Sequence, residues 1–305
     1  EFLLRRMRLK GEFPALSANL VAINQLTAEG GNASVKTLSQ IILRDYALAN
    51  RLLKLVNSAF YGSGRQPITT VSDAVMRLGF EQVRIACNAL LYAGCLVDTD
   101  PERAARLRNM QVEALLAGLL ARYVATTSRF GDPEELFLCG MLRHLGETLA
   151  AYCFPEEFAY IAGMIGSGMH PDQAFREVLG VTEPEIALAV GAEWKLPATF
   201  VNSMRPLPEG LVTVPADAAG RTLVVAAFAN DLCRIATRAP AGEADLRLGA
   251  LSTRFEPCIK TAPEALRTLL VSAARKLDDF LPALGLKAED TPALARVRDW
   301  IPAPD

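Results

Sequence analysis

Asp132-Pro133-Glu134-Glu135-Leu136-Phe137-Leu138-Cys139-Gly140-Met141-Leu142-Arg143-His144-Leu145-Gly146-Glu147 announces a helix in its first four residues. A cap Asp, a first-turn Pro and two acids at the positive end of the helix dipole are what a helix start favours. The apolar run behind them predicts a helix to about Cys153. Asp100-Pro101-Glu102 repeats the device ahead of a long helix to about Val124.

Working outward, nearly every readable segment has helical period. Leu16, Leu20, Ile23 and Leu26 share one face behind Pro14. Ser34 caps a stripe of Val35, Leu38, Ile41 and Ile42, and Leu48, Leu52, Leu55 and Val56 form the next. Thr70 and Asp73 have capping-box spacing, and Gly79 is expected to end that helix in the left-handed conformation. Pro155, Pro171, Pro184 and Pro197 open shorter helices. No Asn-Gly or Asp-Gly joins two alternating runs, so no hairpin is expected. Pro206 to Gly220 is rich in Pro and Gly and marks a boundary. Leu223–Ile235 and Pro263–Leu284 beyond it read as helices. The fold class is all-α.

Bulk properties narrow the function. The chain has 305 residues, 51% of them apolar, enough for a sizeable core. Its net charge of −2 gives no footprint for nucleic acid or an anionic membrane. Six cysteines, none in a C-x-x-C pair, fit a reducing, cytoplasmic setting. The stretch from Ile85 to Val97 is 13 residues without charge, short of the roughly 20 that span a bilayer. The start of the chain lacks a signal peptide's apolar stretch. It also lacks Met, so a processed product or a piece of a longer protein is expected.

Several stretches in order carry a family resemblance: Phe13-Pro14-Ala15-Leu16, Leu38–Asp45, Leu52–Gly62 with Asn57-Ser58-Ala59-Phe60-Tyr61-Gly62 at its end, and Ile68–Gly79. Then come Cys139–Glu147, Phe154–Phe158, Leu179–Thr182 and Trp194–Pro197. Together they resemble the HDOD domain, the HD-related output domain of bacterial signalling proteins. The resemblance implies an N-terminal helical half packed on a degenerate HD-like helical half, and a regulatory output role. The expected division is a connecting helix over 1–11, the HDOD domain over 12–205, and a C-terminal helical extension over 221–305 packing on the core.

The resemblance also implies a metal-binding His-Asp pair that this chain lacks. His144 stands in place, but the Asp position reads Leu145, which has no lone pair to give. The expected His of the long central helix falls near Gln111. Only two histidines exist, His144 and His170, where a divalent site of this kind needs several His and Asp groups. No catalytic residue, metal or cofactor is therefore expected.

Arg143, His144 and Glu147 are the candidate remnant pocket. Their bland reading is a helix face with a hydrogen-bonded His and an Arg143–Glu147 pair four residues apart. Asn57, Ser58 and Tyr61 are a candidate corner, with Asn57 capping backbone groups as the bland reading. The loop Gly62–Pro67 reads as a turn rather than a phosphate cradle. Arg5, Arg6, Arg8 and Lys10, interleaved with Leu3, Leu4, Met7 and Leu9, read as an amphipathic connecting helix.

The sequence thus points to a non-catalytic regulatory module that binds a protein partner, such as an upstream sensor, receiver or kinase module, or a small ligand. The alternatives are a degenerate HD-type phosphohydrolase acting on a nucleotide or cyclic dinucleotide, and a nucleic-acid-binding regulator.

Overall fold

The computed structural model describes residues 2–8, 21–26, 34–57, 68–94, 100–128, 130–240, 242–284 and 291–300, and all regular structure among them is helical. After α1 (Phe2–Arg8), an N-terminal group comprises α2 (21–26), α3 (Val35–Leu43), α4 (Tyr46–Val56), α5 (Val71–Leu78) and α6 (Phe80–Gly94). A second group follows with α7 (Pro101–Ser128), α8 (Pro133–Leu142), α9 (Leu145–Cys153), α10 (Pro155–Gly166), α11 (Pro171–Leu179), α12 (Glu183–Glu193) and α13 (Ala198–Ser203). The chain closes with α14 (Ala218–Arg238), α15 (Ala244–Phe255), α16 (Pro263–Leu284) and α17 (Pro292–Arg298).

Local chemistry sets the starts. Ser34 Oγ accepts from Thr37 N at 3.1 Å, and Thr70 Oγ1 accepts from Asp73 N at 3.0 Å. Asp100 Oδ1 accepts from Arg103 N at 2.9 Å. Asp132 Oδ1 accepts from Glu134 N and Glu135 N at 2.9 Å each. Each such cap contributes about 1 kcal/mol. Gly79 departs from expectation. Its φ is 86°, but its ψ of 164° is extended rather than left-handed helical. The chain therefore runs straight on into α6.

One expected helix is two. The run from Asp132 to Cys153 breaks at Arg143 and His144, between α8 and α9. Asn230 Nδ2 donates to Gly140 O at 2.9 Å, the carbonyl that a continuous helix would offer to His144 N–H. A side chain inserted into that ladder is a recognised cause of a break. Just past it, a Cβ on Gly146 would collide with the Glu183 carbonyl oxygen, so α9 and α12 meet backbone to backbone. The break places Arg143 and His144 at the mouth of the groove between α9, α12 and α14.

The core is organised on α7, which is buried on every face from Met110 to Ala121. It packs against α8, α14 and α16. α16 reaches from α7 to α4 and α6, and so joins the C-terminal helices to the N-terminal group. Between α2 and α6, Asn24 and Asn88 exchange reciprocal side-chain hydrogen bonds at 3.2 and 3.0 Å in a buried setting. At the other end, α1 seats Met7 fully buried, while Arg6 pairs with Glu157 at 2.9 Å and covers the Phe154 ring at 4.8 Å. α15 and α17 went unread in the sequence. The face of α15 is carried by only Leu248, Leu251 and Phe255, and α17 has just 7 residues.

Glycines set the closest approach. A Cβ on Gly140 of α8 would stand 2.7 Å from Ala117 O of α7, and one on Gly118 of α7 would stand 2.8 Å from Phe137 O of α8. Gly140→Ala must push these helices apart. The expected loss is about 1–3 kcal/mol of overpacking, against a helix-propensity gain of about 1 kcal/mol. Urea unfolding of the variant checks this, and a stabilised Gly140→Ala protein would refute the tight crossing.

Candidate functional site

A cleft of about 690 Å³ opens where α9, α11 and α12 face α14 and α15. Arg143, His144 and Glu147 all line it, so the structure brings the candidate pocket residues together. They do not pair as expected. Arg143 turns away from Glu147 and donates through Nη1 to Ser203 O and to Arg205 O, the latter at 3.0 Å. Those carbonyls close α13, which leaves Glu147 to other partners.

The partners come from α14. Arg238 donates through Nε to Glu113 Oε1 at 3.1 Å and through Nη1 to Glu147 Oε1 at 3.2 Å, and its Nη2 holds Glu113 Oε2. One guanidinium thus ties α14 to α7 and α9. One turn earlier, Arg234 Nη2 lies 3.2 Å from His144 Nδ1 and 3.6 Å from Glu147 Oε2. A guanidinium only donates, so Nδ1 of His144 must be the acceptor. The proton of the neutral ring is then on Nε2. That Nε2 is buried, with no protein acceptor among the described residues. Such a donor costs about 1–3 kcal/mol unless something else accepts from it.

The electrostatics follow from this arrangement. Burial, then the charges of Arg234, Arg143 and Arg238, hold His144 well below its ordinary value, so the ring is neutral. Burial alone would raise Glu147, but Arg238 and Arg234 outweigh it and keep the carboxyl below its usual range. Glu183, whose Oε1 accepts from Glu147 N at 3.3 Å, is pushed up to about 7, first by burial and then by the Glu147 charge. Burial also brings Arg143 down to about 10. On the far wall, Arg254 pairs with Asp231 at 2.9 Å and donates to Gly210 O and Pro208 O.

The residues present do not fit a divalent metal. Leu145 is fully buried and has no donor atom. Nδ1 of His144 is taken by Arg234, and the Glu113 and Glu147 oxygens are taken by Arg238. A cation set among these guanidinium groups would be repelled by them. Among the described residues no group of three or more His, Cys, Asp or Glu is placed to hold a metal ion.

The other sequence candidates have structural surroundings. Asn57 donates to Leu53 O at 2.8 Å and Ile68 O at 2.7 Å, and accepts from Ile68 N at 2.7 Å. It closes the corner between α4 and α5. Ser58, Tyr61 and the Gly62–Pro67 loop lie outside the described residues. His170 is exposed, caps α11 and accepts from Asp172 N at 3.3 Å on the rim of the cleft. Cys87, Cys139, Cys153, Cys233 and Cys258 are free thiols. Burial pushes Cys139 up to about 12 and raises Cys87 and Cys233 as well, so these are not nucleophiles.

Sequence reasoning missed Glu113, Glu183, Asp231, Arg234, Arg238 and Arg254. A signal for three of them was available. Asp231, Arg234 and Arg238 stand at steps of three and four along one helix, which puts their charges on one face.

Residues 13–207 match the HDOD domain. An uncharacterized protein of Treponema pallidum (strain Nichols) is 27% identical over 198 residues, 64% of this chain but 37% of that protein. The chain therefore aligns with little more than a third of that relative. A crystal structure of a candidate phosphohydrolase from Shewanella amazonensis SB2B superimposes with a TM-score of 0.63 at 22% identity, covering 98% of this chain and 97% of that one. An HDOD domain protein of unknown function from Geobacter sulfurreducens gives 0.61 at 17% identity, covering 86% and 91%. A candidate signal transduction protein from Marinobacter aquaeolei VT8 gives 0.56 at 21% identity, covering 88% and 58%. At these identities the three structures establish the fold alone. Arg234, Arg238 and Arg254 all lie beyond the matched residues.

Two expectations follow from the geometry. Arg238→Met leaves Glu113 and Glu147, 11% and 14% exposed, without their main cation. Breaking a fully buried pair costs about 3–5 kcal/mol. The Arg238 side chain is 43% exposed, so a loss of about 1–3 kcal/mol is expected by denaturant unfolding. No loss would mean the pairs contribute nothing.

Glu183 makes stability depend on pH in an unusual direction. Its carboxyl binds a proton more tightly folded than unfolded, so its contribution falls as pH rises from about 4.5 to about 7. Glu183→Gln keeps the acceptor oxygen and removes the charge. The melting temperature of this variant relative to the parent is expected to climb between pH 5 and pH 8. A difference that stays flat across that range contradicts a raised Glu183.

Proposed function

This chain belongs to the HDOD domain family, and on that premise we propose that it is a regulatory output module which does not hydrolyse phosphoesters. The observation that carries the reading is the pairing of Arg234 with His144 and of Arg238 with Glu113 and Glu147. Metal-assisted hydrolysis needs donors with free lone pairs and an open position for water. Here guanidinium groups take up those lone pairs.

A module without chemistry acts by shifting between arrangements, and only a differential contact can bias that shift. The seam around α1 offers one. Leu3, Leu4 and Met7 leave a gap of about 230 Å³ against Leu179, Val181 and Ile186 of the α11–α12 region, so α1 is anchored but not tightly packed there. An upstream sensor, receiver or kinase module that moved α1 would disturb the Arg6–Glu157 pair on α10, next to α9 and the cleft. The partner in this reading is a protein, and the setting is the cytoplasm. Among the described residues no helix is long and apolar enough to cross a membrane.

The test is hydrolysis. The chain, supplied in turn with Mn²⁺, Fe²⁺, Mg²⁺ and Zn²⁺, is expected to turn over neither bis-p-nitrophenyl phosphate nor cyclic dinucleotides. Leu145→Asp is expected to restore nothing and to lower the melting temperature, because it buries a carboxylate where Leu145 has no exposure. Metal-dependent turnover that disappears in His144→Ala would overturn the proposal.

A further inference from the structure

Five arginines, Arg143, Arg234, Arg238, Arg247 and Arg254, face four carboxylates in the cleft. Three of the five are committed. Arg143 serves backbone carbonyls, Arg238 serves two glutamates, and Arg254 serves Asp231 and two carbonyls. Arg234 and Arg247 are not committed in this way. The hydrogen bond of Arg234 goes to a neutral ring, and its ion pair with Glu147 is longer than those of Arg238, at 3.6 Å. Arg247 pairs only along its own helix, with the half-exposed Glu243 at 2.9 Å. The two side chains are 43% and 48% exposed. His144 also lines the cleft, and its Nε2–H is a buried donor with no acceptor among the described residues.

We propose that this cleft binds a phosphate monoester, with its phosphate held by Arg234 and Arg247 and its organic body lying against Ile165, Pro184 and Leu207. The proposal rests on the regulatory reading of the site, since Arg234, which takes Nδ1 of His144 from a metal, is also one of the two arginines that would hold the ligand. A tetrahedral dianion accepts from several directions at once, which suits two separate guanidinium forks. The nearby acids do not oppose it strongly. Glu147 is paired with Arg234 and with Arg238, which it shares with Glu113, and Asp231 is paired with Arg254. Glu183 holds its proton up to about pH 7. A cavity of about 690 Å³ is far larger than a phosphate and lies within the range of sites for drug-sized ligands. The apolar residues among its lining give a ligand body something to cover. Both guanidinium groups come from α14 and α15, outside the residues that match the family domain. The matched domain supplies the His144 and apolar walls of the cleft, and the helices beyond it supply these two arginines.

The test is calorimetry on the full chain at low ionic strength, with inorganic phosphate, AMP, GMP and glucose 6-phosphate as separate probes. At least one ester is expected to bind more tightly than inorganic phosphate, because only an ester brings a body to the apolar wall. The two nucleotides and the sugar phosphate distinguish a flat aromatic body from a polar one. Arg234→Gln and Arg247→Gln are each expected to weaken that ester about tenfold or more, the size of one lost charge-assisted hydrogen bond. Arg103→Gln, outside the cleft, is expected to leave it unchanged. Arg247 is half exposed, so its variant should melt with the parent and separates loss of binding from loss of fold. No binding of any ester at millimolar concentration overturns the site and leaves the regulatory reading standing. Binding that survives both cleft variants also overturns it. Binding followed by metal-dependent turnover supports the site and removes the regulatory reading.

Discussion

The guanidinium of Arg238 sits between Glu113 and Glu147, and the rest of the site is arranged around it. Glu113 belongs to the buried central helix and Glu147 to the helix that restarts after the break at His144. A carboxylate in either place would be costly alone. Arg238 makes both tolerable and fixes α14 against α7 and α9. With α14 fixed, Arg234 reaches His144, and Asn230 reaches the Gly140 carbonyl where α8 ends. The break, the ring tautomer and the charge of the cleft all depend on where this one helix lies.

The arrangement accounts for a His144 without a partner Asp. Leu145 is fully buried and offers no lone pair. His144 remains as an acceptor for Arg234, a role that needs a neutral ring with a free Nδ1. A positive guanidinium and a divalent cation compete for the same lone pairs, and here the guanidinium is covalently present at all times.

Much of the fold was legible because its signals are local. Asp-Pro-Glu at the start of α7 and Asp-Pro-Glu-Glu at the start of α8 need no tertiary context to be read, nor do Ser34 or the prolines of α10 to α13. The break after Leu142 was not legible, because its cause is Asn230, 90 residues from Gly140. α17 was missed for lack of length. The cleft was half legible. His144 and Glu147 stood out by type and spacing, and Leu145 stood out by what it replaced. Their actual partners lie on α14, past the Pro- and Gly-rich boundary, and only the packing of α14 on α7 and α8 brings them in. The expected Arg143–Glu147 pair failed for a related reason. The carbonyls at the end of α13 take Arg143, and spacing along one helix cannot report a competitor from another.

Arg234 donates to Nδ1 and leaves the His144 ring neutral with its proton on Nε2. Nitrogen-15 NMR of the imidazole, followed from pH 8 to pH 5, tests it most directly. A neutral Nε2–H ring is expected throughout, unmoved by added Mn²⁺ or Zn²⁺ and shifted toward the other tautomer in Arg234→Gln. A ring that titrates near its ordinary value of about 6.5, carries its proton on Nδ1, or broadens on addition of metal would contradict it.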